Sequence, residues 1–153
     1  MNRNVVLIGG TSSDSHVVSI YLAELFLKEH GYRVINNSCQ NSVEELLGLD
    51  RNCDDLLAVV IVNQNGLALD DLRGLKAYKN LMPRRVPIIL GGHYWIGCER
   101  SDSYVDQVKQ CGVDYQLCAI DELAPLLREI SEENARRAAC VGVGLAVALV
   151  SSI

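Results

Sequence analysis

Apolar residues recur along this chain in two alternating rhythms: short unbroken runs, and longer segments where they return every three or four positions. Runs at 5–8, 32–35, 57–62, 86–90 and 115–117 predict strands, and the third is continuous in apolar character, as a strand covered on both faces requires. Between them, residues 17–30 carry Val17, Ile20, Tyr21, Leu25 and Phe26 at helical spacing and end at Gly31, where a left-handed cap is favoured. Ser42 and Glu45 have the spacing of a capping box that opens a short helix toward Leu47. Further helices are predicted over 70–79, over 104–110 with Gly112 as the stop, and over 121–130.

Five strand–helix units in succession imply a parallel sheet with helices on both faces, because the crossover between parallel neighbours is right-handed in nearly every case. The expected fold is flavodoxin-like (Rossmann-like): α/β, a doubly wound five-stranded parallel sheet of order 2-1-3-4-5. Such sheets bind ligands beyond the carboxyl ends of their strands, where the strand order reverses, here between strands one and three. Connections 9–16, 62–66 and 91–97 should therefore meet at one edge. No repeat, low-complexity tract or linker interrupts the chain before residue 131.

One domain accounts for the 153 residues. A net charge of -5 and the lack of a dense Lys/Arg cluster exclude a nucleic-acid footprint, which needs a basic face. Cys39, Cys53, Cys98, Cys111, Cys118 and Cys140 form no C-x-x-C pair, which argues against a zinc knuckle or a redox dithiol and for reduced, semi-buried thiols. Free thiols, and a first apolar run that fits a strand better than a secretory segment, imply a cytoplasmic location. Residues 138–150, after Arg136 and Arg137, are apolar apart from glycines. They fall short of the about 20 residues a spanning helix needs, so membrane insertion is not expected and a floppy or partner-covered tail is.

The first connection, GGTSSDSH at 9–16, carries the candidate chemistry. Glycine and hydroxyl residues there suit phosphate, yet the Gly-Lys-Ser/Thr ending of a P-loop and the three-glycine dinucleotide fingerprint are both absent. A flavin mononucleotide site through Thr11, Ser12 and Ser13, with Tyr94 or Trp95 stacking, is a lesser alternative. A phospho-acceptor receiver would need an aspartate at the end of strand three, where the chain reads Ile61-Val62-Asn63-Gln64. What remains is Asp14-x-His16. In an extended loop these two side chains point the same way, and a carboxylate on one ring nitrogen fixes the tautomer and raises the basicity of a metal-ligating imidazole.

The segments SDSH (13–16), KEHGYRVIN (28–36), DDLRGLK (70–76) and GGHYWIG (91–97) resemble the cobalamin-binding domains with D-x-H-x-x-G, S-x-L and G-G motifs, in particular the small subunits of adenosylcobalamin-dependent glutamate mutases. The likeness covers residues 4 to about 130. It implies that His16 is the lower axial ligand of cobalt and that Asp14 is its hydrogen-bond partner. It also implies that Ser13, Asp14, Ser15, His16 and Val17, together with His93, Tyr94, Trp95, Ile96 and Gly97, contact the corrinoid. The nucleotide tail would lie in a slot beside the sheet, near Ser19 and Val62, Asn63 and Gln64, and Gly91 and Gly92 would also belong to the cofactor site. Two departures stand out. Ser19 occupies the last position of D-x-H-x-x-G, and Val62-Asn63-Gln64 replaces S-x-L, so the usual hydroxyl is missing and Asn63 or Gln64 would have to donate in its place.

The resemblance further implies a division into a cobalamin-binding domain over 1–131 and an apolar tail over 132–153. The expected function is the cofactor-binding subunit of a mutase that converts L-glutamate to 3-methylaspartate, with adenosylcobalamin as cofactor. A large barrel-type catalytic partner would bind most of the amino-acid substrate. A non-catalytic corrinoid carrier or sensor, or a degenerate mutase-subunit paralogue, is the alternative favoured by the two departures.

Overall fold

The computed structural model describes residues 4–49 and 55–150, with side chains through Val141, so Cys53 lies outside the described residues. Strands β1 (Val5–Gly10), β2 (Arg33–Asn36), β3 (Leu56–Val62), β4 (Ile88–Gly91) and β5 (Tyr115–Gln116) form one parallel sheet of order β2-β1-β3-β4-β5. The helices are α1 (Val17–Glu29), α2 (Val43–Leu46), α3 (Ala68–Asp71), α4 (Leu75–Lys79), α5 (Asp102–Cys111) and α6 (Leu123–Val150). The expected flavodoxin-like order is the observed one.

Alternation along the central strands assigns each helix its face. Leu7, Val59, Ile61, Ile88 and Leu90 pack with Leu46, Leu72, Leu75 and Val108 of α2 to α5 or their flanks. Val6, Ile8, Val60, Val62 and Ile89 pack with Ile20, Ala23 and Leu27 of α1 and with Leu123, Leu127 and Ile130 of α6. Every residue of β3 is buried, as its unbroken apolar run predicts. The register aligns Gly10 with Val62 and Val62 with Gly91, so the loops after β1, β3 and β4 leave the sheet from one row.

Local chemistry sets the helix starts. Ser42 accepts the Glu45 N–H while Glu45 accepts the Ser42 N–H, closing the capping box. Ser101 caps α5, and Gly112 ends it in the left-handed region at φ 119°. Three expectations are corrected. The helix over 70–79 is two short helices, because Gly74 takes φ 87° and starts α4 afresh. In α1 the buried face is Ile20, Ala23 and Leu27, while Tyr21 and Leu25 are more than half exposed. The last helix continues past 130 to Val150, since no proline or glycine interrupts residues 131–141 and Glu133 and Arg137 pair across one turn. No helix among the described residues is long and apolar enough to cross a membrane. Of the described cysteines, Cys39 and Cys111 are half-buried, but Cys98, Cys118 and Cys140 are exposed rather than semi-buried.

Candidate functional site

Asp14 is the keystone of the loop after β1. It is buried, and its Oδ1 accepts the His16 backbone N–H at 3.0 Å and lies 2.6 Å from His16 Nδ1. Its Oδ2 accepts the backbone N–H of Gln64 at 2.5 Å. A carboxylate that already accepts backbone N–H groups has lone pairs to offer, so Nδ1 carries the proton and donates. The lone pair of His16 is therefore on Nε2, and the ring is 60% exposed at the edge where the three loops meet. His16 is also the N-cap residue of α1, which fixes its backbone. The hydroxyl of Ser19, one turn on, donates to the His16 carbonyl at 2.8 Å.

A second carboxylate holds the other half of the loop. Asp71, on α3, accepts from Ser12 Oγ at 3.0 Å, from Ser13 Oγ at 2.7 Å and from the Ser13 N–H at 3.2 Å. Asn65 donates to Ser13 Oγ at 2.9 Å. Burial alone would raise the Asp71 pKa, but hydrogen bonds from Thr11, Ser13 and Ser12 outweigh it and hold the carboxyl below its ordinary value. The sequence reading passed over Asp71, although it stands inside the segment DDLRGLK. The available signal was an acidic residue on the crossover beside a hydroxyl-rich loop.

Asn63 has no donor left for a ligand: its Nδ2 donates to Thr11 Oγ1 and Asn65 Oδ1, and its Oδ1 accepts the Gly66 N–H. That removes it as a substitute donor. Gln64 differs, because only its Oε1 is engaged, by the His93 N–H at 2.9 Å. Gly92 fits where it does for a steric reason. At φ 99° its absent Cβ would lie 2.3 Å from the Asn63 carbonyl oxygen, so the loop after β4 closes tightly over the end of β3.

Beyond Gly92, the rings of His93 and Trp95 are tilted by 35° with centroids 4.3 Å apart, and His93, Ile96 and Gly97 are exposed, with Ile96 close to Gly66 of the loop after β3. Tyr94 departs from expectation. Its side chain is fully buried, its hydroxyl accepts from Arg100, and its carbonyl accepts the Tyr104 hydroxyl at 2.5 Å. Its ring therefore belongs to the core and does not face a ligand. The Arg100 guanidinium lies over the rings of Tyr94 and Trp95 at 5.8 and 5.9 Å.

Between α1 and the start of α6, against the ends of β3 and β4, lies a cavity of about 290 Å³. Val60, Val62, Ile89 and Leu123 line it together with Ser19, Gln64 and Gly91, and Leu22 and Ile120 form exposed apolar lips. A Cβ added at Gly91 would meet no atom within 4 Å, so the glycine opens onto free space. Loop residues 117–120, which complete the wall, carry no sequence motif. Their place follows only from α1 and α6 sharing one face of the sheet.

No family model matches the chain. Glutamate mutase sigma subunit 1 of Haloarcula marismortui is 30% identical over 114 residues, which is 74% of each chain. Sigma subunit 2 of the same organism is 27% identical over 110 residues, 71% of this chain and 73% of the relative. Among solved structures, a cobalamin-binding protein from Desulfitobacterium hafniense superposes with a TM-score of 0.66 at 13% identity. That match covers 84% of this chain, which spans only 59% of the other protein's length. A histidine kinase receiver domain from Arabidopsis thaliana gives a TM-score of 0.57 at 21% identity over 84% of this chain and 90% of the receiver. Both structural matches speak to the fold alone.

Proposed function

Since this chain belongs to the family of glutamate mutase sigma subunits, we propose that it is the cofactor-binding subunit of an adenosylcobalamin-dependent glutamate mutase, with His16 as the lower axial ligand of cobalt. The observation that carries this reading is the His16–Asp14 pair at 2.6 Å, which leaves Nε2 free one helical turn before Ser19 of the cavity wall. Among the described residues no three His, Cys, Asp or Glu side chains converge on a metal position. A metal held here must bring its remaining ligands with it, and cobalt in a corrin ring does.

The residues fit the group in a second respect. A corrinoid ligated by histidine has its own base displaced, and that base needs an apolar slot close to the ligating loop. The cavity under Gly91 supplies one. When bound, the cofactor would supply radical chemistry through homolysis of its cobalt–carbon bond. The chain's own part is narrower: His16 would ligate and Asp14 would orient and strengthen it, Asp71 and Asn65 fix the preceding loop, and His93, Trp95 and Ile96 would contact the corrin. A larger catalytic subunit would hold the amino acid over the opposite face.

The test is isotopic. Labelling histidine with ¹⁵N should alter the hyperfine pattern of the electron paramagnetic resonance signal of the cob(II)alamin complex, and His16→Ala should abolish that change. Splitting from the cofactor's own base in the labelled protein would refute ligation by His16. Val62 and Ser19 favour a second reading, a corrinoid carrier or sensor without turnover. That reading requires cofactor binding with no mutase activity alongside any partner.

A further inference from the structure

We infer that the chain carries a second ligand site, at the sheet edge opposite His16, which takes a small multiply charged anion of the oligophosphate class. The inference is independent of the cobalamin reading. A cavity of about 460 Å³ opens there beside the C-terminal ends of α4 and α5. Among the described residues, five basic side chains line it, Lys76, Lys79, Arg84, Arg85 and Lys109, against one carboxylate, Asp114. In a chain of net charge -5 this is a local reversal of sign. A concave site lined by one sign of charge focuses its field and concentrates the opposite ion. The five cations are dispersed over residues 76–109 and meet only in the fold.

Helix ends account for part of the cluster. Lys76 and Lys79 stand in the last turn of α4 and Lys109 in the last turn of α5, where cations complement the helix dipole. That explains a lysine at each end, but not why the two ends meet or why Arg84 and Arg85 join them from the connection to β4. Gly112 brings the ends together: its absent Cβ would lie 3.2 Å from Lys76 Cα, so α5 stops directly against α4. Asp114 is already satisfied. Its Oδ2 accepts from Lys79 Nζ at 2.5 Å and from the Ile88 N–H at 2.8 Å, while Lys79 also donates to the Gly112 carbonyl at 2.9 Å. These bonds fix the floor of the cavity. At its rim, Lys76 and Lys109 are exposed and have no hydrogen bond or ion pair among the described residues, and the exposed Arg85 lies 3.9 Å from Asp114. An anion with several charged oxygens matches that rim, because arginine takes oxygens through its fork and lysine as a point charge. No aromatic side chain lines the cavity to stack on a base, so charge is what it reads.

Inorganic triphosphate is the probe, titrated into the full chain by calorimetry at a fixed ionic strength of about 0.15 M, where screening suppresses loose association of exposed charges. Binding should saturate at one site and be tighter than that of monophosphate. Backbone amide resonances should shift at 76–79 and 109–114 and stay in place at 11–16. Combining Lys76→Gln with Lys109→Gln should weaken triphosphate by about tenfold or more, the effect of losing one charge-assisted contact. The unliganded variant should melt as the wild type does, since both side chains are exposed. No saturation at millimolar triphosphate, equal affinity for monophosphate, shifts confined to the loop after β1, or undiminished binding by the double variant would each overturn the inference. Tighter binding of hexaglutamate than of triphosphate would also overturn it, in favour of an acidic protein segment on this face.

Discussion

Asp14 accepts the backbone N–H of Gln64 at 2.5 Å, across 50 residues of sequence, through the carboxylate oxygen that does not face His16. One buried side chain thus joins the loop after β1 to the loop after β3. The imidazole is oriented from the sheet itself and not from its own flexible turn. Precision of this kind is what a ligating histidine needs, because second-partner orientation sets both the tautomer and the basicity of the ring.

Asp14→Asn tests that coupling. The amide keeps an acceptor for one N–H but presents no negative charge to Nδ1, so corrinoid affinity should fall about 10- to 100-fold. The far-ultraviolet circular dichroism spectrum should be unchanged. Titration with cob(II)alamin measures the loss, and equal affinity in both proteins would reduce Asp14 to a loop anchor.

Gly91 offers a test of the cavity. Its Cβ position is open and its φ is not in the left-handed region, so Gly91→Val adds volume without backbone strain. The valine should exclude the tail, weakening complete cobalamin while leaving the tail-less corrinoid unaffected. Thermal unfolding should occur at or above the wild-type midpoint, since the β-branched residue suits a strand end. A loss shared by both ligands would mean that the tail lies elsewhere.

How much of this was legible beforehand depends on the kind of signal. The strand order and the Asp14-x-His16 device follow from alternation, the right-handed crossover rule and a two-residue spacing, all of which are local. The orientation of α1 was not legible, because Val18, Tyr21, Leu22 and Leu25 make the helix apolar on its outer face as well as its inner one. Periodicity cannot choose between two apolar faces. Nor can it reveal that Asn63 is consumed by Thr11, Asn65 and Gly66, or that Tyr94 turns inward to Arg100 and Tyr104. Those outcomes depend on partners brought in from other elements. Asp71 is the same case, 58 residues from the Ser13 hydroxyl it accepts.

Asp71 also carries a pH dependence. Its folded-state pKa is depressed, so its contribution to stability is fully present above the unfolded carboxyl value of about 3.9 and is lost as pH falls through the lower folded value. Asp71→Asn should therefore reduce the drop in stability between about pH 5 and pH 2, measured by urea unfolding at each pH. It should also loosen Ser12 and Ser13, seen as faster amide exchange at those positions at neutral pH. An acid limb identical to wild type would mean that the hydrogen bonds from Ser12 and Ser13 do not persist in solution.

Glutamate presents two carboxylates, and bidentate arginines are the groups best matched to them. Among the described residues, Arg73 pairs with Asp70, and Arg84, Arg85 and Arg100 are engaged elsewhere. Arg84 donates to the Leu56 carbonyl at the start of β3, Arg85 lies 3.9 Å from Asp114, and both are at the sheet edge opposite His16. Arg100 is committed to the Tyr94 hydroxyl and the Trp95 ring. Substrate recognition should then fall to a partner that covers residues 13–17 and 93–97 with the cofactor between the two proteins. Assays of 3-methylaspartate formation with adenosylcobalamin should be silent for the chain alone and should respond when the larger mutase subunit from the same source is added. Turnover by the isolated chain would refute this division of labour. Silence in both assays with the cofactor bound would favour the carrier or sensor, whereas in an active complex Arg100→Ala should lower stability through Tyr94 and leave the Michaelis constant for glutamate unchanged.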